Sequence, residues 1–275
     1  MKRACVIGWP VEHSRSPIIH GHWLERHGIA GVYEKRGVPP EEIEGFLAGL
    51  DRQGYAGANV TVPHKEAALR AAARVDGAAE SVGAANTLWY EDGVLCASST
   101  DTYGFIRNLD DFAPGWEKVG RPAAVLGAGG AARSVLRGLL ERGFREIRLT
   151  NRSPERAREL ARFFGADIQV IDWEERPAAL DGAGLLVNTT TQGMNGTALD
   201  IELAGLAGDA LVTDLIYVPL ETQLLARARE RGLRTADGLG MLLHQAVPGF
   251  EKWFGVRPEV TPELRGLVLR HIAGR

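Results

Sequence analysis

The residues with the clearest chemical potential lie in the run Gly-Ala-Asn-Val-Thr-Val-Pro-His-Lys, which ends at Lys65. A short buried strand over 58–60 is expected to lead into a polar turn that Pro63 fixes, with the proline in the first turn of a following helix. Such a turn would hold Asn59, Thr61 and Lys65 near one point.

Lys65 itself is a candidate general acid–base. Five of the 32 lysines and arginines are lysines, so the composition favours arginine. Arginine keeps its proton at working pH, whereas the pKa of a lysine can be tuned so that it releases one. On position alone, a solvated lysine in the first turn of a helix is the more common situation.

A second chemical signal is the run Gly-Ala-Gly-Gly-Ala-Ala at 127–132, between an apolar strand pattern over 122–126 and a helix pattern. It matches the G-x-G-x-x-A fingerprint of dinucleotide-binding folds. Gly127 permits the tight turn, Gly129 lets the backbone approach a pyrophosphate, and Ala132 allows close packing of helix on strand. The helix N-terminus favours the anion. The alternative is a tight turn that holds no ligand.

The next strand indicates which dinucleotide would bind. In NAD sites this strand usually ends in Asp or Glu, which bonds the ribose 2′-hydroxyl. Here it ends Leu-Thr-Asn151-Arg152-Ser153, without a carboxylate. A neutral Asn151 beside the cationic Arg152 suits a 2′-phosphate, and therefore NADP. The alternative is that Arg152 is an ordinary surface arginine.

Strand and helix patterns alternate along the chain, which predicts an α/β fold with a mainly parallel sheet. The expected strands are 3–8, 31–38, 58–60, 85–90, 94–97, 122–126, 146–150, 168–171, 184–188 and 211–215. The expected helices are 16–27, 41–50, 66–74, one from the glycine loop to about 142, one capped by Ser153, 220–231 and 238–253. Residues 91–93 read as a hairpin turn. Residues 111–121 contain two glycines and a proline, so they are expected to link two domains.

Composition restricts the class of protein. A length of 275 residues allows two domains. The net charge of −3 gives no reason to expect a nucleic-acid partner. Neither a membrane-spanning run nor a signal-peptide core is visible. Cys5 and Cys96 are expected to be buried free thiols in a reducing cytoplasm. The histidines lack the spacing of a metal site, so no metal is predicted.

Seven runs, taken in order, carry a family resemblance. They are residues 6–10 with 13–17, 59–65, 83–87, 99–101, the glycine loop, 151–153, and 237–242 with Gln245. With these runs the chain resembles the shikimate dehydrogenase family, which belongs to aromatic amino-acid biosynthesis. Two places depart from the family pattern: Ser99 stands where Asn is usual, and the run Gly83-Ala84-Ala85 has Ala where Val is common.

The resemblance implies a fold and an activity. The fold would be an N-terminal α/β substrate domain with a mainly parallel sheet plus a Rossmann-type NADP-binding domain, with the active site in the cleft between them. The domains would be 1–101 plus 238–275, and 102–237. The activity would be the reversible NADPH-dependent reduction of 3-dehydroshikimate to shikimate, on the route to chorismate, in the cytoplasm. The partner would be the small-molecule substrate, without nucleic acid or membrane; a homodimer stays open.

The resemblance also implies roles for single residues. Lys65 and Asp101 would be the catalytic pair. Ser14 and Ser16 would bond the substrate carboxylate, and the substrate hydroxyls would be met by Thr61, Asn86 and Gln245, with Tyr217 nearby. The cofactor-binding residues would be Gly127, Ala128, Gly129, Gly130, Ala131, Asn151, Arg152, Ser153, Ile216 and Gly238. Without the resemblance, Ser14 and Ser16 could equally cap the helix that begins near Pro17.

Two other functions stay open. One is a quinate/shikimate dehydrogenase with a broader substrate range that uses NAD; the lack of an acidic residue at 151–152 argues against it. The other is a non-catalytic NADP-binding regulator on the same scaffold. Such a protein should have lost Lys65 or Asp101, and both are present.

Overall fold

The structure of the chain is a computed structural model that describes residues 1–194 and 197–274, without the side chains of 118 and 119. The chain forms two compact units. The first consists of Met1–Asp101 with Leu243–Arg275, and the second of Thr102–Leu242. Within the described residues, none of the helices has the length and apolar character needed to cross a membrane.

The first unit contains a six-stranded sheet with the order β2-β1-β3-β5-β6-β4. Its strands are β1 (Lys2–Gly8), β2 (Gly31–Gly37), β3 (Tyr55–Val60), β4 (Arg74–Val75), β5 (Thr87–Glu91) and β6 (Val94–Ser98). Strand β1 pairs in parallel with β2 and β3, and β4 with β6, whereas β5 runs antiparallel to β3 and β6. The sheet is therefore mainly parallel, and β5 is the strand that runs antiparallel to its neighbours.

Short helices and the C-terminal part of the chain complete this unit. Its helices are α1 (Ser16–Arg26), α2 (Ile43–Ala48), α3 (Lys65–Ala71) and α4 (Gly77–Val82), with a 3₁₀ turn at Pro40–Glu42. Later in the chain come α10 (Leu239–Phe254), which begins in the second unit, and α11 (Pro262–Ile272). Trp253 of α10 donates from Nε1 to the Leu88 carbonyl at 2.8 Å. A Cβ at position 57 would lie 2.1 Å from that same carbonyl oxygen, so Gly57 leaves room for this close approach.

The second unit is a doubly wound parallel sheet. Its strands are β7 (Ala123–Leu126), β8 (Ile147–Thr150), β9 (Ile168–Ile171), β10 (Leu185–Asn188), β11 (Leu211–Asp214) and β12 (Arg234–Ala236). The order is β12-β11-β10-β7-β8-β9, and each pairing is parallel. Numbered from β7, this is the 3-2-1-4-5-6 order of dinucleotide-binding folds. Its helices are α5 (Asp101–Phe112), whose first residue belongs to the first unit, α6 (Gly130–Glu141), α7 (Pro154–Phe164), α8 (Arg176–Ala179) and α9 (Gln223–Glu230). It also has 3₁₀ turns at Trp116–Val119 and Trp173–Glu175.

Alternate residues of these strands enter two separate cores, because successive side chains of a strand point to opposite faces of its sheet. Val125, Leu149 and Val187 belong to one core with Val135 of α6. Leu126 belongs to the other, together with Leu225 of α9. Burial on both faces explains why the strands read as continuous apolar runs in the sequence.

Residues 111–121 do not link the two units, so that prediction is wrong. They lie inside the second unit, where Trp116 is buried and its ring stacks on Phe144 at 5.8 Å. Gly115 and Gly120 take φ values of 80° and 63° on either side of the 3₁₀ turn. The glycines therefore let the chain turn tightly around a buried tryptophan, instead of making it flexible.

Two smaller expectations are also corrected. Pro63 is not in the first turn of a helix, because α3 begins at Lys65 with His64 as its N-cap. Ser153 is the N-cap residue of α7, as predicted, but its side chain makes no capping hydrogen bond.

Candidate active site

In the first unit, the side chains of Lys65 and Asp101 form an ion pair. Lys65 opens α3 and Asp101 follows β6, and the Lys65 Nζ donates to Asp101 Oδ2 at 2.5 Å. The side chain of Lys65 is 31% exposed and that of Asp101 16%. The pair is thus charge-assisted and still reachable from solvent.

Asn86 completes the surroundings of the carboxylate. Its Nδ2 donates to Asp101 Oδ1 at 2.8 Å, so both oxygens of Asp101 accept hydrogen bonds. Its own Oδ1 accepts from the backbone N–H of Thr100 at 2.9 Å and from Thr87 Oγ1 at 3.0 Å. The structure therefore brings three of the predicted site residues, Lys65, Asp101 and Asn86, into direct contact.

The predicted substrate-binding serines lie at the start of α1. The Ser16 N–H donates to Ser14 Oγ at 3.3 Å, and the two hydroxyl oxygens are also 3.3 Å apart. Arg15 is the N-cap residue of this helix, and its side chain does not cap it. Neither serine is thus the N-cap residue, and Ser16 is buried while Ser14 is partly exposed.

The other predicted substrate residues are placed by different elements. Thr61 follows β3, is partly exposed, and donates its backbone N–H to the Ile7 carbonyl at 2.8 Å. Gln245 lies on α10, and its carbonyl accepts from Thr100 Oγ1 at 2.8 Å. Tyr217 follows β11 and belongs to the second unit.

In the second unit, the glycine loop connects β7 to α6. Gly127 has a φ of 103°, and a Cβ there would lie 2.6 Å from Thr189 Oγ1. At Gly129 and Gly130, by contrast, an added Cβ would meet no atom within 4 Å. Gly129 is the N-cap residue of α6 and offers no side-chain cap. The Ala132 N–H donates to the Gly129 carbonyl at 3.1 Å. The start of α6, without a side-chain cap, suits an anion such as a pyrophosphate.

Asn151 and Arg152 follow β8, next to the glycine loop. The Ala128 N–H donates to Asn151 Oδ1 at 3.1 Å, and Asn151 Nδ2 donates to the Ser153 carbonyl at 2.9 Å. Asn151 thus holds the loop to the end of β8. Arg152 is exposed and makes no hydrogen bond or ion pair with the residues that the structure describes. Its guanidinium is free for a phosphate.

Ile216 and Gly238 meet at the end of β11. The Gly238 N–H donates to the Ile216 carbonyl at 3.3 Å, and a Cβ at position 238 would lie 2.2 Å from the Leu215 carbonyl oxygen. Asp214 is buried and accepts hydrogen bonds from the Ile216 N–H at 3.1 Å and from Thr222 Oγ1 at 2.8 Å. Burial raises the pKa of the Asp214 carboxyl above its usual range, and these two hydrogen bonds partly offset that effect.

Several polar residues around these sites were not predicted from the sequence. Thr87 and Thr100 hold Asn86, and Asp214 holds the segment that contains Ile216. The available signal was their position at strand ends, since Thr87 begins β5, Thr100 lies two residues after β6 and Asp214 ends β11. Among the described residues, no group of three or more histidine, cysteine, aspartate or glutamate side chains could hold a metal ion.

A parallel sheet of this strand order with an open glycine loop, together with a lysine–carboxylate pair, defines a nicotinamide-dinucleotide oxidoreductase. The chain matches the family descriptions "Shikimate dehydrogenase substrate binding domain" over residues 6–88, "Shikimate / quinate 5-dehydrogenase" over 117–195 and "Shikimate 5'-dehydrogenase C-terminal domain" over 238–262. The chain belongs to the shikimate dehydrogenase family.

Individual relatives agree with this assignment. The chain is 59% identical to the shikimate dehydrogenase (NADP(+)) of Rhodopseudomonas palustris strain HaA2 over 99% of this chain and 97% of that protein. It is similar to the crystal structure of shikimate 5-dehydrogenase from Thermus thermophilus in complex with NADP(H) and shikimate, with a TM-score of 0.87, 36% identity and coverage of 99% and 100%. Quinate dehydrogenase from Corynebacterium glutamicum in complex with NAD gives a TM-score of 0.89 at 28% identity, with 98% coverage of both chains.

These comparisons confirm the family resemblance and the fold class read from the motifs. The domain boundaries and the roles of individual site residues stay predictions.

Proposed function

We propose that this chain catalyses the reversible NADPH-dependent reduction of 3-dehydroshikimate to shikimate, a step on the route to chorismate and the aromatic amino acids. The observation that carries this proposal is the half-buried ion pair of Lys65 and Asp101, within a chain whose full-length relatives are NADP-dependent shikimate dehydrogenases.

Lys65 is the proposed general acid and base. Bound NADPH supplies the hydride to the ring carbonyl carbon. The Lys65 ammonium gives one proton to the carbonyl oxygen, which becomes the hydroxyl of shikimate. In the oxidation direction the neutral Lys65 amine takes that hydroxyl proton. Asp101 accepts one N–H of Lys65, which leaves the other protons of the ammonium free to point at substrate.

Side chains with hydroxyl and amide groups would bind the substrate through hydrogen bonds. Hydroxyl and amide groups suit a polyhydroxylated ring, because a site built to bond a hydroxyl rejects analogues that lack it. Thr61, Asn86 and Gln245 are assigned to the ring hydroxyls, with Tyr217 as a fourth contact. Ser14 and Ser16 are assigned to the carboxylate, since the start of a helix already favours negative charge.

The residues of the second unit fit NADP. The pyrophosphate would lie against residues 127–131, where Gly129 and Gly130 leave open space. Arg152 would bind the 2′-phosphate, together with backbone groups at Ser153, because an unpaired guanidinium matches phosphate geometry. Asn151 would act by fixing the loop, and Ile216 and Gly238 would lie beside the nicotinamide.

We assign substrate binding to residues 1–101 plus 238–275 and cofactor binding to 102–237. We place the enzyme in the cytoplasm, since Cys5 and Cys96 are buried free thiols, as expected in a reducing compartment. A homodimer is the assembly to test, and the mass of the purified chain in solution decides it.

One assay tests the main proposal. The absorbance of reduced nicotinamide is followed with shikimate or quinate as substrate, each with NADP and with NAD. Turnover of shikimate with NADP, and a much higher KM for NAD, is the expected result. Comparable turnover of quinate with NAD would favour the broader dehydrogenase. NADP binding without turnover of either substrate would favour the non-catalytic regulator.

A further inference from the structure

Hydrogen bonds connect a buried tyrosine to the catalytic carboxylate. Tyr33 Oη donates to Asn59 Oδ1 at 2.6 Å, and Asn59 Nδ2 donates to Thr87 Oγ1 at 3.2 Å. Thr87 Oγ1 donates to Asn86 Oδ1 at 3.0 Å, and Asn86 Nδ2 donates to Asp101 Oδ1 at 2.8 Å. The four residues before Asp101, here called the buried relay (Tyr33, Asn59, Thr87 and Asn86), are each at most 7% exposed.

Backbone groups set the direction of both amides in the buried relay. Asn59 Nδ2 also lies 3.2 Å from the Asn86 carbonyl oxygen, which can only accept, so this end of the Asn59 amide must be the donor. Asn86 Oδ1 lies 2.9 Å from the Thr100 backbone N–H, which can only donate, so this end of the Asn86 amide must be the acceptor.

The Thr87 hydroxyl proton then has two possible acceptors. Its oxygen receives Asn59 Nδ2, and its hydroxyl can donate to Asn86 Oδ1 at 3.0 Å or to Thr100 Oγ1 at 3.3 Å. Donation to Asn86 is the shorter of the two. Thr100 Oγ1 in turn has the Gln245 carbonyl at 2.8 Å as its nearest acceptor. Every donor in the buried relay therefore points toward Asp101.

We propose that Tyr33, Asn59 and Thr87 are positioning residues for the reaction, which act through Asn86 on Asp101. Because Asn86 Oδ1 already accepts two protons, Asn86 has no acceptor capacity left and can offer a substrate only its second N–H. Asn86 would thus meet a substrate oxygen as a donor. Asp101 in turn is held by Asn86 on one oxygen while Lys65 occupies the other.

The buried relay has the properties that such a role needs. Burial raises the pKa of Tyr33 well above its ordinary value, so the phenol keeps its proton and remains a donor. The relay draws on β2, β3 and β5 of one sheet, which are rigid elements. In buried surroundings a fully satisfied polar network fixes one arrangement, since any rotated amide would leave polar atoms unpaired.

Two variants of Thr87 test the inference, which rests on the proposed function. Thr87→Val keeps the shape but removes the hydroxyl, and Thr87→Ser restores it. We expect Thr87→Val to lower kcat for shikimate about tenfold, less than the roughly 10²-fold that a 1 Å misplacement of a catalytic group can cost. The KM for NADP should stay unchanged, and Thr87→Ser should recover most of the lost kcat. Equal kcat values for the Val and Ser variants would overturn the inference.

A second pair of variants separates positioning from stability and serves if Thr87→Val does not fold. Tyr33→Phe removes the first donor of the buried relay. Tyr55→Phe removes the hydroxyl of another buried tyrosine of the same unit, which donates to the partly exposed Glu34 at 3.0 Å outside the relay. Both should lower the thermal midpoint, but only Tyr33→Phe should lower kcat.

The outcomes for the two proposals differ. A wild-type chain inactive with shikimate and either cofactor would reject the proposed function. An active wild type in which Tyr33→Phe and Tyr55→Phe keep the same kcat would reject the positioning role alone.

Discussion

Lys65 is the residue whose removal tests the proposed chemistry most directly. Lys65→Ala should lower kcat by roughly 10²-fold or more, the usual contribution of a positioned acid–base, and leave the binding of NADP nearly intact. Lys35→Ala is the matched control, because Lys35 is a lysine of the same unit whose Nζ lies at the surface. Steady-state kinetics and NADP titration measure both effects. A Lys65→Ala enzyme with wild-type turnover would contradict the assignment.

Arg152, the residue proposed to bind the 2′-phosphate, provides a second test at the scale of a residue. Arg152→Asp should raise the KM for NADP about 10- to 100-fold, since a hydrogen bond to a charged group contributes roughly 1.5–3 kcal/mol. The KM for NAD should change much less, because NAD carries no 2′-phosphate. Arg158→Asp makes the same charge change on α7, at an exposed arginine near Glu155. If both variants raise the KM for NADP equally, the effect comes from the changed surface charge and not from a contact of Arg152 with the 2′-phosphate.

At the scale of an element, the glycine loop contains glycines that are required for different physical reasons. Gly127 is required by the fold, and Gly129 is expected to be required by the cofactor. Gly127→Ala should destabilise the second unit by roughly 1–3 kcal/mol, since φ is 103° and the new Cβ would press on Thr189. Thr189 Oγ1 donates to the Leu126 carbonyl at 2.8 Å, so it cannot move without loss.

Gly129→Ala is the contrasting variant. Its φ of −92° is open to any residue and its Cβ would meet no protein atom, so stability should hardly change. Its affinity for NADP should fall, because the methyl group would occupy the space that a pyrophosphate approaches. Thermal melts with and without NADP measure both effects. Equal loss of stability in the two variants would contradict this division.

Helices and strands were predictable from the sequence where a local pattern of residues determines them. The apolar run 122–126 before the glycine loop gave β7, and the turn at 91–93 gave the hairpin between β5 and β6. In that turn Asp92 and Gly93 take φ values of 52° and 75°, as a two-residue hairpin turn requires. Helix α5 was missed, and the segment after it was read as a link. That segment is held in the second unit by the contact of Trp116 with Phe144, which is distant in sequence and therefore leaves no local pattern.

The candidate site was also predictable only where local motifs identify its residues. Lys65, Asn86 and Asp101 were identified from their motifs, and the structure joins their side chains. The role of Asn151 in cofactor binding stays a prediction, and the structure adds that its amide bonds the glycine loop to the end of β8. The hydrogen-bond partners that set the direction of each amide depend on strand pairing between distant parts of the sequence. The roles inferred for Tyr33 and Thr87 therefore depend on the fold and not on any local sequence pattern.

At the scale of the whole molecule, the first unit contains a fully buried histidine. His20 is fully buried among aromatic rings and stacks on Tyr33 with 4.0 Å between ring centroids. Trp23, Phe250 and Trp253 surround it. Neither ring nitrogen has a hydrogen-bond partner among the described residues. Such a site stabilises the neutral imidazole and strongly disfavours the cation.

This arrangement predicts how the stability of the first unit depends on pH. Burial lowers the pKa of His20 from 6.5 to about 3 in the folded chain. As the pH falls below 6.5, the unfolded chain binds a proton that the folded chain does not. The free energy of unfolding should therefore be highest above pH 6.5 and fall by up to about 1.4 kcal/mol per pH unit toward pH 3.

His20→Phe should flatten this dependence, because phenylalanine keeps an aromatic ring against Tyr33 without a titrating group. His271→Phe is the control, since His271 is an exposed histidine of the same unit. Amide hydrogen exchange in β1 at several pH values between about 4 and 7 would report the opening free energy of this unit rather than that of the whole chain. The wild type and His271→Phe should lose stability together as the pH falls, and His20→Phe should lose less. Parallel slopes for all three chains would show that His20 does not couple folding of this unit to pH.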